Sequence, residues 1–305
     1  MQIKKSQYFV LVFYISIFLF PILGIAETNK YLSIGLTQSD NLEIQPDSDA
    51  SLSNSDVKRT GITTGLSLQK QFLDFSGGYI LEADIDYNKG LNSTGDISSI
   101  RLSASKLKSI NSNWLMRSSI MLRHYENEPL EVNSYDGLQL ENTFGYLNDD
   151  NSGTDIALSL GRENHNQDIS DRYKTQKAGL KISHYFPHES NSPYWAINVG
   201  GTQNNADNDR RDFDSYTMGI ESRQWRLGSL RGTAGIQWQT DRYKQLVGAA
   251  SKRKDETALL QVNISKNIKK NLALHISATT GRYQSSRRDV NENFYQLISN
   301  LQWQF

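Results

Sequence analysis

Cysteine is absent from this 305-residue chain. Its absence excludes disulfides, thiolate metal sites and a lipid-modified N-terminal Cys. Proline is scarce, with 5 residues. After residue 26 no stretch approaches the roughly 20 apolar residues that a spanning helix needs. Mean hydropathy is −0.58 and only 37% of residues are hydrophobic, so a helical membrane protein is excluded. An excess of one charge is also missing: 33 basic residues balance 33 acidic ones. A nucleic-acid binder would carry a basic excess, so no nucleic-acid partner is expected. The five histidines, His124, His165, His184, His188 and His275, have no metal-ligand spacing, so neither metal nor cofactor is expected.

What is present is alternation. Aromatics reach 10%, with 15 Tyr, beside 21 Gly. Apolar residues recur at every second position in segment after segment, as in Leu32-Ile34-Leu36, Tyr79-Leu81-Ala83-Ile85-Tyr87, Ile156-Leu158-Leu160 and Ala258-Leu260-Val262-Ile264. A period of two puts these residues on one face of a strand. About 14 such segments, within a range of roughly 12 to 16, predict an all-β fold: a transmembrane, antiparallel, up-and-down barrel with no plug domain. Connections alternate in length. Polar stretches at Gln45–Asp56, Asn88–Asp96, Glu126–Ser134, Glu163–Arg172, Gln203–Asp214, Asp241–Glu256 and Gln284–Asn293 are expected at the outer end. Short turns around Asp74, Ile110, Asp150, Ser190, Gly228 and Lys269 are expected in the periplasm. Aromatics are expected to form two boundary belts. Trp114, Trp195, Trp225 and Trp303 would form one. Tyr87, Tyr125, Tyr135, Tyr173, Tyr216, Tyr243, Tyr283 and Tyr295 would form the other, with Trp238 near it. Trp225 breaks the pattern, because its parity with Ile220 points it inward unless a bulge intervenes.

The two ends of the chain agree with this reading. Lys4 and Lys5 precede an apolar run from Tyr8 to Leu23, and Gly24-Ile25-Ala26 supply small residues for a signal peptidase. Residues 1–26 are expected to be a cleaved signal peptide, leaving a barrel over residues 27–305. At the other end Tyr295, Leu297, Ser299, Leu301, Trp303 and Phe305 form one face, while Gln296, Asn300, Gln302 and Gln304 lie on the other. This ending resembles the sorting signal of Gram-negative outer-membrane barrels, which finish on Phe with aromatic or apolar residues two apart before it. The resemblance implies a Gram-negative outer-membrane location, with lipid, lipopolysaccharide and the barrel assembly machinery as partners, and a monomer is favoured over an oligomer.

Counting inward from the apolar faces predicts the lumen. Glu82, Asp84 and Asp86 fall on the third strand, Arg101 on the fourth, Arg117 and Arg123 on the fifth and Glu141 on the sixth. Lys177 and Lys181 follow on the eighth, then Glu221 and Arg223 on the tenth. Gly35, Gly65, Gly145, Gly179, Gly219 and Gly235 share the inner face. Unpaired charges in a dry core cost several kcal/mol each, so these residues need water or close partners. One reading is a charged, water-filled pore that filters solutes. The other is a lumen sealed by ion pairs between neighbouring strands, the third-strand acids with the fourth- and fifth-strand arginines.

Size and strand count look similar to small monomeric porins, so the expected function is a channel for small polar solutes or a secreted glycan, not an enzyme. The segment from Gly219 to Phe305 resembles the barrel of surface-lipoprotein assembly modifiers, which implies a surface-assembly or export role; those proteins carry a helical repeat domain ahead of the barrel, which is not expected in this chain. His188-Glu189-Ser190-Asn191 resembles the His-acid-Ser-Asn stretch of outer-membrane phospholipase, implying a lipid hydrolase through His188 and Ser190. Here Ser192 replaces that family's Gly, and the tetrapeptide falls in a periplasmic turn. His124 and His165, with Glu126, Glu128 and Asp168, would have to converge at the outer rim for an outer-membrane protease of the Asp/His type. Arg210-Arg211, Lys252-Arg253-Lys254 and Arg287-Arg288 are basic pairs and triplets expected in outer loops, within reach of lipopolysaccharide phosphates.

Overall fold

A computed structural model describes residues 27–40, 58–74, 76–91, 95–127, 134–165, 173–189, 192–207, 212–247, 251–286 and 290–305. The expected signal peptide, the loop over 45–56, Glu128, Asp168, Ser190, Asn191, Arg210, Arg211, Arg287 and Arg288 lie outside the described residues. Fourteen strands follow one another: β1 (Glu27–Asp40), β2 (Lys58–Asp74), β3 (Gly77–Gly90), β4 (Ile97–Ser109), β5 (Trp114–Asn127), β6 (Tyr135–Leu147) and β7 (Gly153–His165). They continue as β8 (Tyr173–Tyr185), β9 (Tyr194–Ala206), β10 (Phe213–Leu227), β11 (Leu230–Val247), β12 (Ser251–Lys269), β13 (Leu272–Ser285) and β14 (Val290–Gln304). Each strand pairs antiparallel with its sequence neighbours, and β1 closes on β14 with Leu32 opposite Trp303 and Ile34 opposite Leu301. Closure leaves no unpaired edge, the condition for a sheet in lipid.

The lipid imposes the alternation. Apolar side chains collect on the outer face. Ile34, Leu36, Leu160, Trp195, Met218, Ile236 and Trp303 are among the most exposed large apolar side chains, and all have the outward parity. The polar parity faces the lumen. At one end the turns are short and held by side chains. Asp74 accepts from the backbone N–H of Ser76 at 2.7 Å and of Gly77 at 3.1 Å. Asn111 accepts from the backbone N–H groups of Asn113 and Trp114, both at 2.9 Å. Asp and Asn favour such turns because a short side chain stands in for a backbone carbonyl. Both described termini lie at this turn end, where the Phe305 N–H donates to the Lys30 carbonyl at 3.1 Å.

At the loop end the strands run further than expected. The stretch 241–256 is strand up to Val247 and again from Ser251. Residues 203–206, Phe213, Gln284 and Asn291 also lie in strands. A barrel strand needs only about 9–11 residues to cross lipid, yet β12 has 19. The ladder continues beyond the lipid, where nothing demands an apolar outer face. Consequently Lys252-Arg253-Lys254 is not a loop triplet: Arg253 turns inward and pairs with Asp255 at 2.7 Å.

The tyrosine belt also divides. Tyr87, Tyr216 and Tyr295 face outward, whereas Tyr125, Tyr135, Tyr173, Tyr243 and Tyr283 have the inward parity. Trp225 lies outward after all. The pairing shifts between Ser222 and Trp225, Gln224 takes a φ of 57°, and Trp225 then lies opposite Gly232. One extra residue keeps Arg223 inside and Trp225 outside.

Candidate functional site

The charged residues expected on the inner face are all there, but only some are brought together. On β3 and β4 the Arg101 guanidinium donates twice to Asp84, at 3.0 and 2.7 Å. Glu82 accepts from Gln69 at 2.8 Å and Ser103 at 2.9 Å. Asp86 lies opposite Gly65 and Ser99 in the ladder. Among the described residues no third-strand acid comes within 4 Å of a fifth-strand arginine, although Arg123 acts on Asp86 through space. Arg117 donates instead to the Ser105 hydroxyl at 3.2 and 3.0 Å. Arg123 lies over the rings of Tyr125 and Tyr135, 5.5 and 5.6 Å from their centroids. Among the described residues Glu141 has only long contacts, to Gln139 at 3.5 Å and Thr143 at 3.4 Å.

Further round the wall, Lys177 pairs with Glu163 at 2.7 Å. Arg223 forms a short ion pair with Glu221, which also accepts from Asn198 at 3.1 Å. Lys181 has no carboxylate within 4 Å among the described residues. Strands β3 and β10 stand seven places apart in a ring of 14, so the Glu82-Asp84-Asp86 face and the Glu221-Arg223 pair lie across the lumen from each other.

Sequence alone does not single out several inner residues. Asp155, on the inner face of β7, accepts from the Tyr185 hydroxyl at 2.7 Å. Glu163 reads as loop in the sequence, and so do Asp241, Arg253 and Asp255. Counting by twos from Ile156 and Leu160 places Asp155 and Glu163 inside, which is the signal that finds them. Inward glycines make room for these groups: a Cβ at Gly145 would lie 2.7 Å from Asp155 Oδ1, and one at Gly65 would lie 2.8 Å from Asp86 Oδ1.

The two halves of the lumen differ. Toward the turn end the wall of β5 to β10 encloses an open cavity of about 520 Å³, lined by Arg117, Glu141, Asp155, Lys181, Tyr185 and Arg223 with a floor of Gly, Ser, Thr and Ala. Arg117 and Lys181 are exposed within it. Toward the loop end the inner wall is withdrawn from solvent: Thr175 is 3% exposed, Asn204 2% and Asp255 1%. Two aromatic arcs line that end. Tyr125, Tyr135, His165 and Tyr173 touch in series across β5 to β8, with His165 stacked on Tyr173 at 4.1 Å. Phe213 meets Tyr243 at 5.2 Å, and Arg253 lies 4.4 Å over Tyr243.

The histidines do not converge. His124 faces outward and bonds Asp136 at 2.7 Å, whereas His165 faces inward beside Glu163. His188 lies in the turn after β8, stacked on Tyr194 at 4.3 Å, with its Nδ1 3.0 Å from the Phe186 carbonyl. Among the described residues no group of three or more His, Asp or Glu could hold a metal ion.

No family model and no curated protein matches the sequence. Solved structures do match the fold. OmpT, an outer-membrane protein of Vibrio cholerae, aligns over 94% of this chain and 100% of its own at 6% identity and a TM-score of 0.50. A bacterial polysaccharide outer-membrane secretin covers 90% of this chain and 98% of its own at 11% identity and a TM-score of 0.51. An outer-membrane channel from Pseudomonas putida F1 covers 93% and 97% at 14% identity and a TM-score of 0.51. The chain is a closed 14-strand antiparallel barrel, and in fold it is similar to these outer-membrane proteins.

Proposed function

We propose that this barrel is a channel of the Gram-negative outer membrane for small polar solutes, not an enzyme. The observation that carries the reading is the open cavity at the turn end, where Arg117 and Lys181 face the lumen without an ion-pair partner among the described residues. Burying unpaired ions away from water costs several kcal/mol each, so such a wall is stable only when wet. Fixed charges on a wet, low-dielectric wall focus the local potential and sort solutes by charge. Barrel assembly machinery and lipopolysaccharide belong to this reading as partners, and the barrel acts as a monomer. Proteoliposomes carrying the purified chain should swell in isotonic pentose or hexose faster than empty liposomes. Swelling at the empty-liposome rate would contradict the reading.

A second reading, an export barrel for a glycan that opens only with a partner, is favoured by the buried inner wall at the loop end, where Asn204 and Asp255 are withdrawn from solvent. It predicts no swelling by the barrel alone and swelling once its partner is added.

A further inference from the structure

We propose that the β5–β8 wall carries a binding site for a hydroxylated organic anion of the sugar-acid class. The proposal rests on the channel reading and names a solute for it. Ladder register supplies the geometry. Arg117 lies opposite Thr143, Thr143 opposite Ala157, and Ala157 opposite Lys181. Three strand spacings of about 4.8 Å set the two cations roughly 14 Å apart at Cα along the wall. Only the short side chains of Thr143 and Ala157 stand between them, so Lys181 and, once its guanidinium turns from Ser105 on β4, Arg117 can reach over the same floor.

One row toward the loop end are Glu141, Ser159, Gly179 and Thr202, registered across four adjacent strands. Gly179 keeps that row flush: a Cβ there would lie 2.7 Å from the Ser159 hydroxyl and 3.1 Å from that of Thr202. The result is a shallow concavity edged by two cations and floored by hydroxyls, within a cavity of about 520 Å³. That volume falls in the range of small-molecule sites.

The charges choose the solute. Among the described residues Arg117 donates to the neutral Ser105, and Lys181 has no carboxylate within 4 Å, although it acts on Glu221 through space, so each can take a carboxylate from solution. Asp155 is engaged by Tyr185, and Arg223 by Glu221. Glu141, with contacts of 3.4 and 3.5 Å, remains an acceptor in need of O–H donors. A bare inorganic anion would leave Glu141 and the hydroxyl floor without O–H donors. An uncharged sugar would leave both cations unmet, and a fatty acid would leave the hydroxyl floor and Glu141 unmet. A solute with a carboxylate and several hydroxyls satisfies all of them, and charge-assisted bonds are the stronger ones.

The test uses the full chain, refolded in detergent, with gluconate, sorbitol and hexanoate as probes in calorimetric titrations. Gluconate should bind at least about tenfold more tightly than either control, equivalent to roughly 1.4 kcal/mol, and its affinity should fall as salt rises. R117Q and K181Q should each weaken gluconate by about tenfold and leave sorbitol unchanged. Both side chains are exposed in the lumen, and heat-modifiable migration on gels confirms folding of each variant. Gluconate binding no tighter than sorbitol, or unaffected by both substitutions, overturns the proposal. Conductance without gluconate binding overturns this site and leaves the channel reading standing; gluconate binding without conductance does the reverse.

Discussion

Asp255 illustrates what the lumen demands of a single residue. It is 1% exposed and pairs with Arg253 at 2.7 Å, with the Tyr283 and Ser285 hydroxyls donating at 2.9 and 2.6 Å. A buried pair of this kind is costly to break and cheap to replace as a unit. Asp255→Ala should therefore lower unfolding stability by about 3 to 5 kcal/mol, whereas replacing Arg253 with Met together with Asp255 with Leu should be close to neutral. Urea unfolding in detergent measures both, and equal losses in the two variants would contradict the pairing. Asp150 acts by a different route in the turn after β6. Its carboxyl is held below the usual carboxylate range by hydrogen bonds from Ser152, whose hydroxyl and backbone N–H both reach it. A lowered folded pKa means that this stabilisation is complete above the ordinary value of 3.8 and is lost as pH falls through the folded value. Hydrogen exchange at the Ser152 amide should accelerate relative to mid-strand amides below that range, and Asp150→Asn should remove the pH dependence. An unchanged profile in the Asn variant would assign the effect elsewhere.

At the scale of elements, the bulge in β10 is the most instructive feature. Ser222 faces Ala234 and Trp225 faces Gly232, so three steps on β10 match two on β11. Deleting Gln224 should restore a regular ladder with Arg223 inside and Trp225 outside, and the barrel should still fold. Deleting Thr217 in the same strand should invert every side chain beyond it and abolish folding. Quenching of Trp225 by brominated lipid, in a variant whose other tryptophans are replaced by Phe, reports the orientation; loss of quenching on deleting Gln224 would contradict it. The terminal strand carries a second prediction. Leu301 lies on the outward face between Ile34 and Leu274. A Lys or Arg at the midplane of that face costs about 2 to 4 kcal/mol and Asp less. Leu301→Asp, or removal of Phe305, should leave chains in the periplasm, and normal heat-modifiable barrel in outer-membrane fractions of both variants would contradict the sorting role.

Strand number and lipid face were legible over the whole molecule because lipid penalises outward polar residues, which makes the alternation of Leu32, Ile34 and Leu36 obligatory. Trp225 was legible as a conflict of parity, and a bulge resolved it. Side-chain direction at the loop end was not legible: Tyr125 and Tyr243 have the composition of a boundary belt but the parity of the lumen, and above the lipid no apolar face marks which parity is which. The partners of the inner charges were not legible either. Whether Lys177 or Lys181 meets Glu163 depends on how far each strand is offset from the next, and that offset is set by turns such as the one at Asp150. Water running through the barrel past fixed charges is the central claim. Reversal potentials of single channels in planar bilayers under a salt gradient test it most directly. Wild-type protein should conduct, and replacing Glu82, Asp84 and Asp86 with their amides should shift selectivity toward anions. That shift should shrink between 0.1 M and 1 M salt as the Debye length falls from about 10 Å to about 3 Å. Complete absence of conductance from correctly folded wild-type protein, or a selectivity indifferent to the three acids, would contradict the claim.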